Sequence, residues 1–112
     1  MNAYAVGLLH DIDANDEILD YLRRIQATLD PYGGRFLVHG ATPEVLEGPF
    51  DGVLVLIGFP DVSSARAWYD SPAYREILPL RTRNTRSVAF VLEGCGPDHD
   101  SAAMADEMAA AR

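Results

Sequence analysis

Four short apolar runs along this chain have the length and composition of β-strands and are separated by turn residues or by helical patterns. They are Tyr4–Leu9, Arg35–His39, Val53–Phe59 and Val88–Leu92. Three of the four runs are apolar at nearly every position, and only Arg35–His39 carries basic side chains. We therefore predict four strands, of which three are unusually apolar on both faces.

Helical patterns follow the first and third strands. The first helix is predicted to begin at a capping residue, Asp13 or Asn15, and to end before Pro31. Between these positions, one apolar stripe is formed by Ile18, Leu22, Ile25 and Leu29. Two short helices are predicted after the third strand. One is capped by Asp61 or Ser63, and the other runs from Pro72 to about Leu80. Thr42–Gly48 is predicted to add a strand extension or a hairpin arm.

The element order β-α-β-β-α-β predicts an α+β domain with a ferredoxin-like plait, in which an antiparallel sheet carries its helices on one face. A sheet with one face in water should alternate apolar and polar residues, and these strands do not. We therefore expect the uncovered face to pack on the same face of a second copy, in a homodimer. The alternative is a monomer with a large exposed apolar surface, which is rare.

The second strand carries Arg35 and His39, which regular alternation would place on the same face. Because Phe36 and Val38 suit the core, we predict that Arg35 and His39 point away from the helices, about 13 Å apart, at two ends of a cleft. Arg35 would then hold an anionic or carbonyl group of a ligand, and His39 would transfer a proton. Alternatively, Arg35 pairs with an acid such as Asp13 and His39 faces water.

The composition fits one globular domain, with 112 residues, 48% of them hydrophobic and 23% charged. The net charge is −8, which disfavours nucleic acid as a partner. No apolar run approaches the roughly 20 residues of a membrane helix, so no membrane partner is expected. Cys95 is the only cysteine, which excludes an internal disulfide and fits a reducing, cytoplasmic location.

The last residues differ in composition from the rest. Gly94, Gly96 and Pro97 interrupt the chain, and the segment after them is acidic and rich in alanine. We predict a domain over residues 1–94 and a tail over residues 95–112, with a loose helix capped at Ser101.

No metal or cofactor is expected. His10 and His39 each end a predicted strand, and we expect these two strands to run in opposite directions, which separates the imidazoles. No carboxylate stands at a ligand spacing from either of them. The chain contains neither a dinucleotide fingerprint nor a phosphate loop.

Aromatic and basic residues near the third helix are the other candidates for a site. Trp68, Tyr69 and Tyr74 could form the wall of a ligand pocket, or they could pack the short helices onto the sheet. Three arginines precede the fourth strand and could bind a carboxylate or form surface salt bridges. They are Arg81, Arg83 and Arg86.

Three stretches, Tyr32–Gly40, Glu44–Gly48 and Ala65–Tyr74, resemble the domain of unknown function 1330 family, and the likeness covers about residues 3–94. The Trp-Tyr-x-Ser-Pro-x-Tyr run at Trp68–Tyr74 is the most specific part. The resemblance implies a dimeric α/β barrel, in which two ferredoxin-like sheets face each other. It implies no particular chemistry.

Related dimeric barrels include cofactor-free monooxygenases and isomerases, whose cavity lies between sheet and helices. The resemblance therefore suggests a protein that binds or transforms a small, partly apolar organic molecule without a cofactor. The alternative is a non-catalytic dimer module, a scaffold or a stress-related protein. A cavity with converging polar groups would favour the first hypothesis, and a filled core the second.

Overall fold

The computed structural model describes all of residues 1–112 and contains the predicted strands and helices in the predicted order. The elements are β1 (Ala3–His10), α1 (Asp16–Leu29), a 3₁₀ turn (Asp30–Tyr32), β2 (Arg35–Ala41), β3 (Val53–Phe59), α2 (Val62–Asp70), α3 (Pro72–Thr82), β4 (Arg86–Glu93) and α4 (Ser101–Ala110). Asn15 is the cap of α1, since its side chain accepts a hydrogen bond from the Ile18 amide. The loop between β2 and β3 contains no strand, so the predicted arm at Thr42–Gly48 is absent.

The four strands form one antiparallel sheet in the order β2-β3-β1-β4, which confirms the ferredoxin-like α+β fold. β1 and β2 are both antiparallel to β3, and they therefore run in the same direction. The expectation that these two strands are antiparallel to each other is wrong. His10 and His39 still lie apart, because β3 separates their strands and His10 pairs with Arg86 on the far side.

The helices cover one face of the sheet, but they do so unequally. α2 lies close to β1, β3 and β4, whereas α1 lies beside α3 and reaches the sheet through side chains of the common core, among them Ile25 and Leu29. Leu29, Phe59, Tyr74 and Ile77 are the largest fully buried side chains. The predicted stripe of α1 is shifted in one position, because Tyr21 is buried while Leu22 is 45% exposed.

Strand β2 does not keep a regular alternation, because Leu37 is an extra residue between the paired positions Phe36 and Val38. A bulge of this kind reverses the order of inward and outward side chains beyond it. His39 therefore faces the helices, as Phe36 does, and the two rings stack with centroids 3.8 Å apart. Arg35 faces the other side of the sheet, so the prediction that Arg35 and His39 share a face is wrong.

The face of the sheet away from the helices is apolar and uncovered within one chain. On its outer strand β4, Val88, Phe90 and Leu92 are 55%, 45% and 44% exposed. These three residues alternate with Ala89 and Val91, which face the helices. The open sheet face thus exposes large apolar side chains in a row, as the strand pattern predicted.

Helix α4 lies beyond the last strand, and every one of its residues is exposed. Its cap is Asp100, whose side chain accepts a hydrogen bond from the Ala102 amide, rather than the predicted Ser101. None of the helices has both the length and the apolar character needed to cross a membrane.

Candidate functional site

A cavity of about 860 Å³ lies between the sheet and the helices. Its floor consists of side chains on the helix-facing side of three strands, Ala5, Gly7, Val55, Ile57, Ala89 and Val91. Its roof is one side of α1, including Ile18, Leu22 and Ile25. Most of the lining is apolar, which suits the hydrocarbon part of an organic ligand.

The cavity lies where strand residues with little or no side chain leave space between the sheet and α1. Gly7 occupies the middle of the central strand and is flanked by Val55 on one side and by Ala89 on the other. A Cβ atom added at Gly7 would meet only Val55 Cβ, at 3.7 Å. The space above Gly7 is therefore open toward the helices.

Three polar side chains converge on one end of this cavity. Tyr21 of α1 and Tyr74 of α3 are buried, and their hydroxyl oxygens are 2.7 Å apart, so that one hydroxyl donates to the other. Arg81, in the last turn of α3, is only 9% exposed and also lines the cavity. Its Nη1 donates to Ser87 Oγ at 2.5 Å, at the start of β4.

Burial and mutual contact set the protonation of this cluster. Burial, followed by the proximity of Tyr74, raises the pKa of the Tyr21 hydroxyl, which keeps it protonated at neutral pH. Burial alone would lower the pKa of Arg81, but the interactions with Tyr74 and Tyr21 outweigh it and the pKa is raised. The cluster therefore contains a guanidinium cation beside the neutral phenol of Tyr21.

The aromatic residues predicted near the third helix lie in the core and in the cavity wall at the same time. The ring of Trp68 is 4.2 Å from that of Tyr74, and its Nε1 donates to Thr28 Oγ1 at 3.0 Å. Tyr69 is partly buried and carries the guanidinium of Arg75 over its ring at 4.7 Å. Trp68, Tyr69 and Tyr74 thus pack the helices and also line the cavity.

The two polar residues of β2 are separated by the sheet. His39 lines the cavity, and the partial burial of its ring lowers the pKa of the imidazole even though the residue as a whole is exposed. Arg35 does not line the cavity. It forms no salt bridge either, so the pairing with Asp13 that we considered is absent.

Of the three arginines predicted to precede the fourth strand, only Arg81 reaches the cavity, and Arg86 is itself the first residue of β4. Arg83 forms an ion pair with Glu17, and Arg86 forms one with Asp11 at 2.8 Å. The sequence analysis did not single out Tyr21, although it lies three residues after Ile18 and four before Ile25, at helical spacing on the buried stripe.

No group of three or more histidine, cysteine, aspartate or glutamate side chains is arranged to hold a metal ion. His10 instead lies beside the loop between β2 and β3, with its Nδ1 3.3 Å from an Asp51 carboxylate oxygen and its ring against Phe50.

Comparison with solved structures places this fold among proteins of similar architecture. A protein of unknown function from Rhodopseudomonas palustris is 21% identical, with 86% of this chain and 84% of that chain covered at a TM-score of 0.65. A dimeric ferredoxin-like protein of unknown function from Jannaschia sp. CCS1 is 14% identical, with 83% and 99% covered at a TM-score of 0.56. A second dimeric ferredoxin-like protein of unknown function, from Thermobifida fusca YX, is 16% identical, with 83% and 91% covered at a TM-score of 0.54.

No curated protein matches the sequence. A family model does match, that of the domain of unknown function DUF1330, and it spans residues 2–95, which includes every strand and the helices α1 to α3. The resemblance noted in the sequence is therefore confirmed, and the chain belongs to the DUF1330 family.

Proposed function

We propose that this protein binds a small, partly apolar organic molecule, without a cofactor, in the cavity between its sheet and its helices. The observation that carries the proposal is the cavity itself, whose volume of about 860 Å³ belongs with small-molecule sites of roughly 300–1,000 Å³. An apolar lining with a few convergent polar groups is the usual composition of such sites. Arg81, Tyr21 and Tyr74 supply those polar groups here.

The second hypothesis, a non-catalytic dimer module, predicts that side chains fill the space between the sheet and the helices. That space is instead floored by Gly7 and Ala89 at its centre. A protein whose only task is to dimerise gains stability by closing such a space, because an unfilled volume forfeits packing interactions. The geometry therefore favours the ligand-binding proposal.

Within this proposal, His39 is the proton-transfer residue if the ligand is chemically transformed. Its imidazole lines the cavity and is held against the ring of Phe36. A lowered pKa keeps the imidazole neutral near pH 7, and a neutral imidazole can accept a proton. Trp68, Tyr69 and Tyr74 supply the apolar wall against which a flat ligand would pack.

We also propose that the protein is a homodimer paired through the open sheet face. The exposed row Val88, Phe90 and Leu92 supports this, because a contiguous apolar face of this kind is costly to leave in water. Two similar folds are described as dimeric, which adds support.

A cytoplasmic location completes the proposal and is supported by Cys95, which is free and exposed and so suits a reducing compartment.

The ligand-binding proposal can be tested by filling the cavity at Gly7. We expect native mass spectrometry of freshly purified protein to show a co-purifying small molecule, and we expect the neutral fluorescent probe N-phenyl-1-naphthylamine to bind. The Gly7→Leu substitution should abolish both signals, since the new side chain projects over the cavity floor. Gly7→Ala should retain them, because its Cβ makes only an ordinary contact with Val55.

Thermal unfolding of both variants serves as the control for folding. If Gly7→Leu folds with a melting temperature close to that of the wild type and binds the probe as well as the wild type does, the cavity is not the binding site. If the wild type neither binds the probe nor carries a small molecule, the proposal is wrong and the dimer-module hypothesis takes its place.

A further inference from the structure

We propose that the ligand is an organic carboxylate, whose head group binds to Arg81 and to the hydroxyls of Tyr21 and Tyr74 while its apolar part lies in the cavity. This inference rests on the proposed function, since it names the chemical class of the molecule that the cavity takes. It also gives the buried guanidinium a role that the fold alone does not explain.

Arg81 differs from most arginines of the chain in the pairing of its charge. Five arginines of the chain form salt bridges with carboxylates, namely Arg24, Arg66, Arg75, Arg83 and Arg86. Arg81 forms none, although it is the most buried arginine. Arginine is rarely buried unless it is paired, because moving its charge out of water is costly without a counter-charge. An anion from outside the chain would supply that counter-charge.

Hydrogen-bond donors of Arg81 and of the Tyr21–Tyr74 pair remain free for a ligand. A guanidinium has five N–H groups, and the well-formed hydrogen bond of Arg81 runs from Nη1 to Ser87 Oγ, with the hydroxyls of Tyr74 and Tyr21 also beside the guanidinium. No polar side-chain atom that is fully buried lacks a partner, so Nε and Nη2 of Arg81 are accessible. Since one phenol donates to the other, the Tyr21–Tyr74 pair also retains one free O–H donor. The site thus offers donors from a cation and from a neutral hydroxyl.

A carboxylate fits these donors better than a phosphate does. A carboxylate carries one negative charge and two oxygens that match the fork of a guanidinium, and it accepts a further hydrogen bond from a phenol. A phosphate dianion would call for more than one cation. The other two arginines at the cavity, Arg66 and Arg75, both pair with Asp70, and the chain as a whole has a net charge of −8. Arg81 is thus the one arginine at the cavity without a carboxylate partner, and its single charge suits a monocarboxylate.

The width of the cavity floor across the strands sets the size of the ligand. Ser87, the partner of Arg81, lies two residues before Ala89 on β4. Ala89 begins a row that continues through Gly7 and Val55 to His39 on the opposite edge of the sheet. Three strand spacings separate the two ends of this row, about 14 Å. A carboxylate at Arg81 can therefore extend over Gly7 with a two-ring aromatic body or a medium-length alkyl chain.

The experiment compares two probes of nearly the same shape, 2-naphthoate and the neutral 2-naphthamide, by isothermal titration calorimetry at pH 7. We expect the wild type to bind the carboxylate more tightly than the amide by roughly tenfold to a hundredfold, as charge-assisted hydrogen bonds imply. Arg81→Met should remove this preference, because only the carboxylate forms charge-assisted hydrogen bonds with the guanidinium. Arg23→Met is the matched control, because Arg23 lies exposed on α1 and forms no salt bridge.

The outcomes separate this inference from the proposed function. Equal affinity of the wild type for both probes would overturn the carboxylate assignment while leaving the cavity as a binding site. The same would follow if Arg81→Met weakened both probes alike, as a purely structural role would. Failure of the wild type to bind either probe would overturn both proposals. Should Arg81→Met not fold, Tyr74→Phe and Arg81→Lys should each reduce the carboxylate preference, and an undiminished preference in both would contradict the inference.

Discussion

At the scale of single residues, Asn15 joins two parts of the helix layer. Its Oδ1 accepts the hydrogen bond from the Ile18 amide that caps α1, at 3.1 Å. Its Nδ2 donates to Asn84 Oδ1 at 2.6 Å, after the end of α3. Since α1 lies beside α3, this side chain helps to position the roof of the cavity.

We expect Asn15→Ala to lower the free energy of unfolding by about 1–2 kcal/mol, because the α1 amides lose their cap. Asn15→Ser keeps a capping oxygen but cannot reproduce the amide contact with Asn84, so its loss should be smaller. Chemical denaturation of the three proteins measures both effects. Equal stability of the wild type and Asn15→Ala would show that the cap does not contribute.

His39 should make stability depend on pH. Its pKa in the folded protein is lowered by burial from the ordinary value of 6.5, so the unfolded chain binds more protons over the interval between the two values. The free energy of unfolding should therefore rise as the pH increases through that interval up to 6.5, and His39→Gln should reduce the slope. An NMR titration that places the folded-state midpoint of His39 at or above 6.5 would contradict this expectation.

At the scale of elements, the sequence predicted the strands, α1 and the helices around Trp68 and Pro72, because each carries its own periodicity and caps. It could not predict the bulge at Leu37, since a bulge depends on how β2 registers against β3 rather than on local pattern. The direction of His39 was missed for the same reason. Nor could it predict the contact between α1 and α3, which joins elements far apart in the sequence.

The candidate site was predictable only in part. Trp68, Tyr69 and Tyr74 were singled out as a cluster because they follow one another closely along the chain. The pairing of Tyr21 with Tyr74 joins two helices, and no spacing within the sequence reports such a contact. Gly7 looked like one more position of an apolar strand, and its importance comes from the absence of a side chain at the centre of the cavity floor.

The junction between the 3₁₀ turn and β2 should tolerate no side chain at Gly34. A Cβ there would lie 2.6 Å from Phe59 Cε1 and 2.9 Å from Leu29 Cδ2, and both of these side chains are fully buried. We expect Gly34→Ala to lower the free energy of unfolding by about 1–3 kcal/mol, the usual effect of overpacking a core. Gly7→Ala is the matched control, and a similar loss in both variants would contradict this account.

At the scale of the whole molecule, the two faces of the sheet have different tasks in our proposals. The helix-facing side forms the floor of the cavity, and the open side pairs with a second copy. The division into a domain over residues 1–94 and a tail over residues 95–112 stays a prediction. The exposure of every residue of α4 is compatible with it.

We expect the wild type to be a dimer at micromolar concentration in light scattering, and Phe90→Asp to be a monomer. The substitution places a charge in the middle of the apolar row on β4, where pairing would bury it without a partner. Ala67→Asp, on the exposed side of α2, is the control and should remain dimeric. A monomer mass for the wild type would contradict the proposed homodimer.

The position of α1 also bears on how fast a ligand exchanges with the cavity. Because α1 lies beside α3 and takes no part in the strand pairing, an outward shift of the roof breaks no hydrogen bond of the sheet. In the ligand-binding proposal, entry and exit then depend on motion within the helix layer, on the microsecond-to-millisecond scale of packed helices. For the proposed ligand, we expect changes at the α1–α3 contact, such as loss of the Asn15–Asn84 hydrogen bond, to alter the rates of entry and exit.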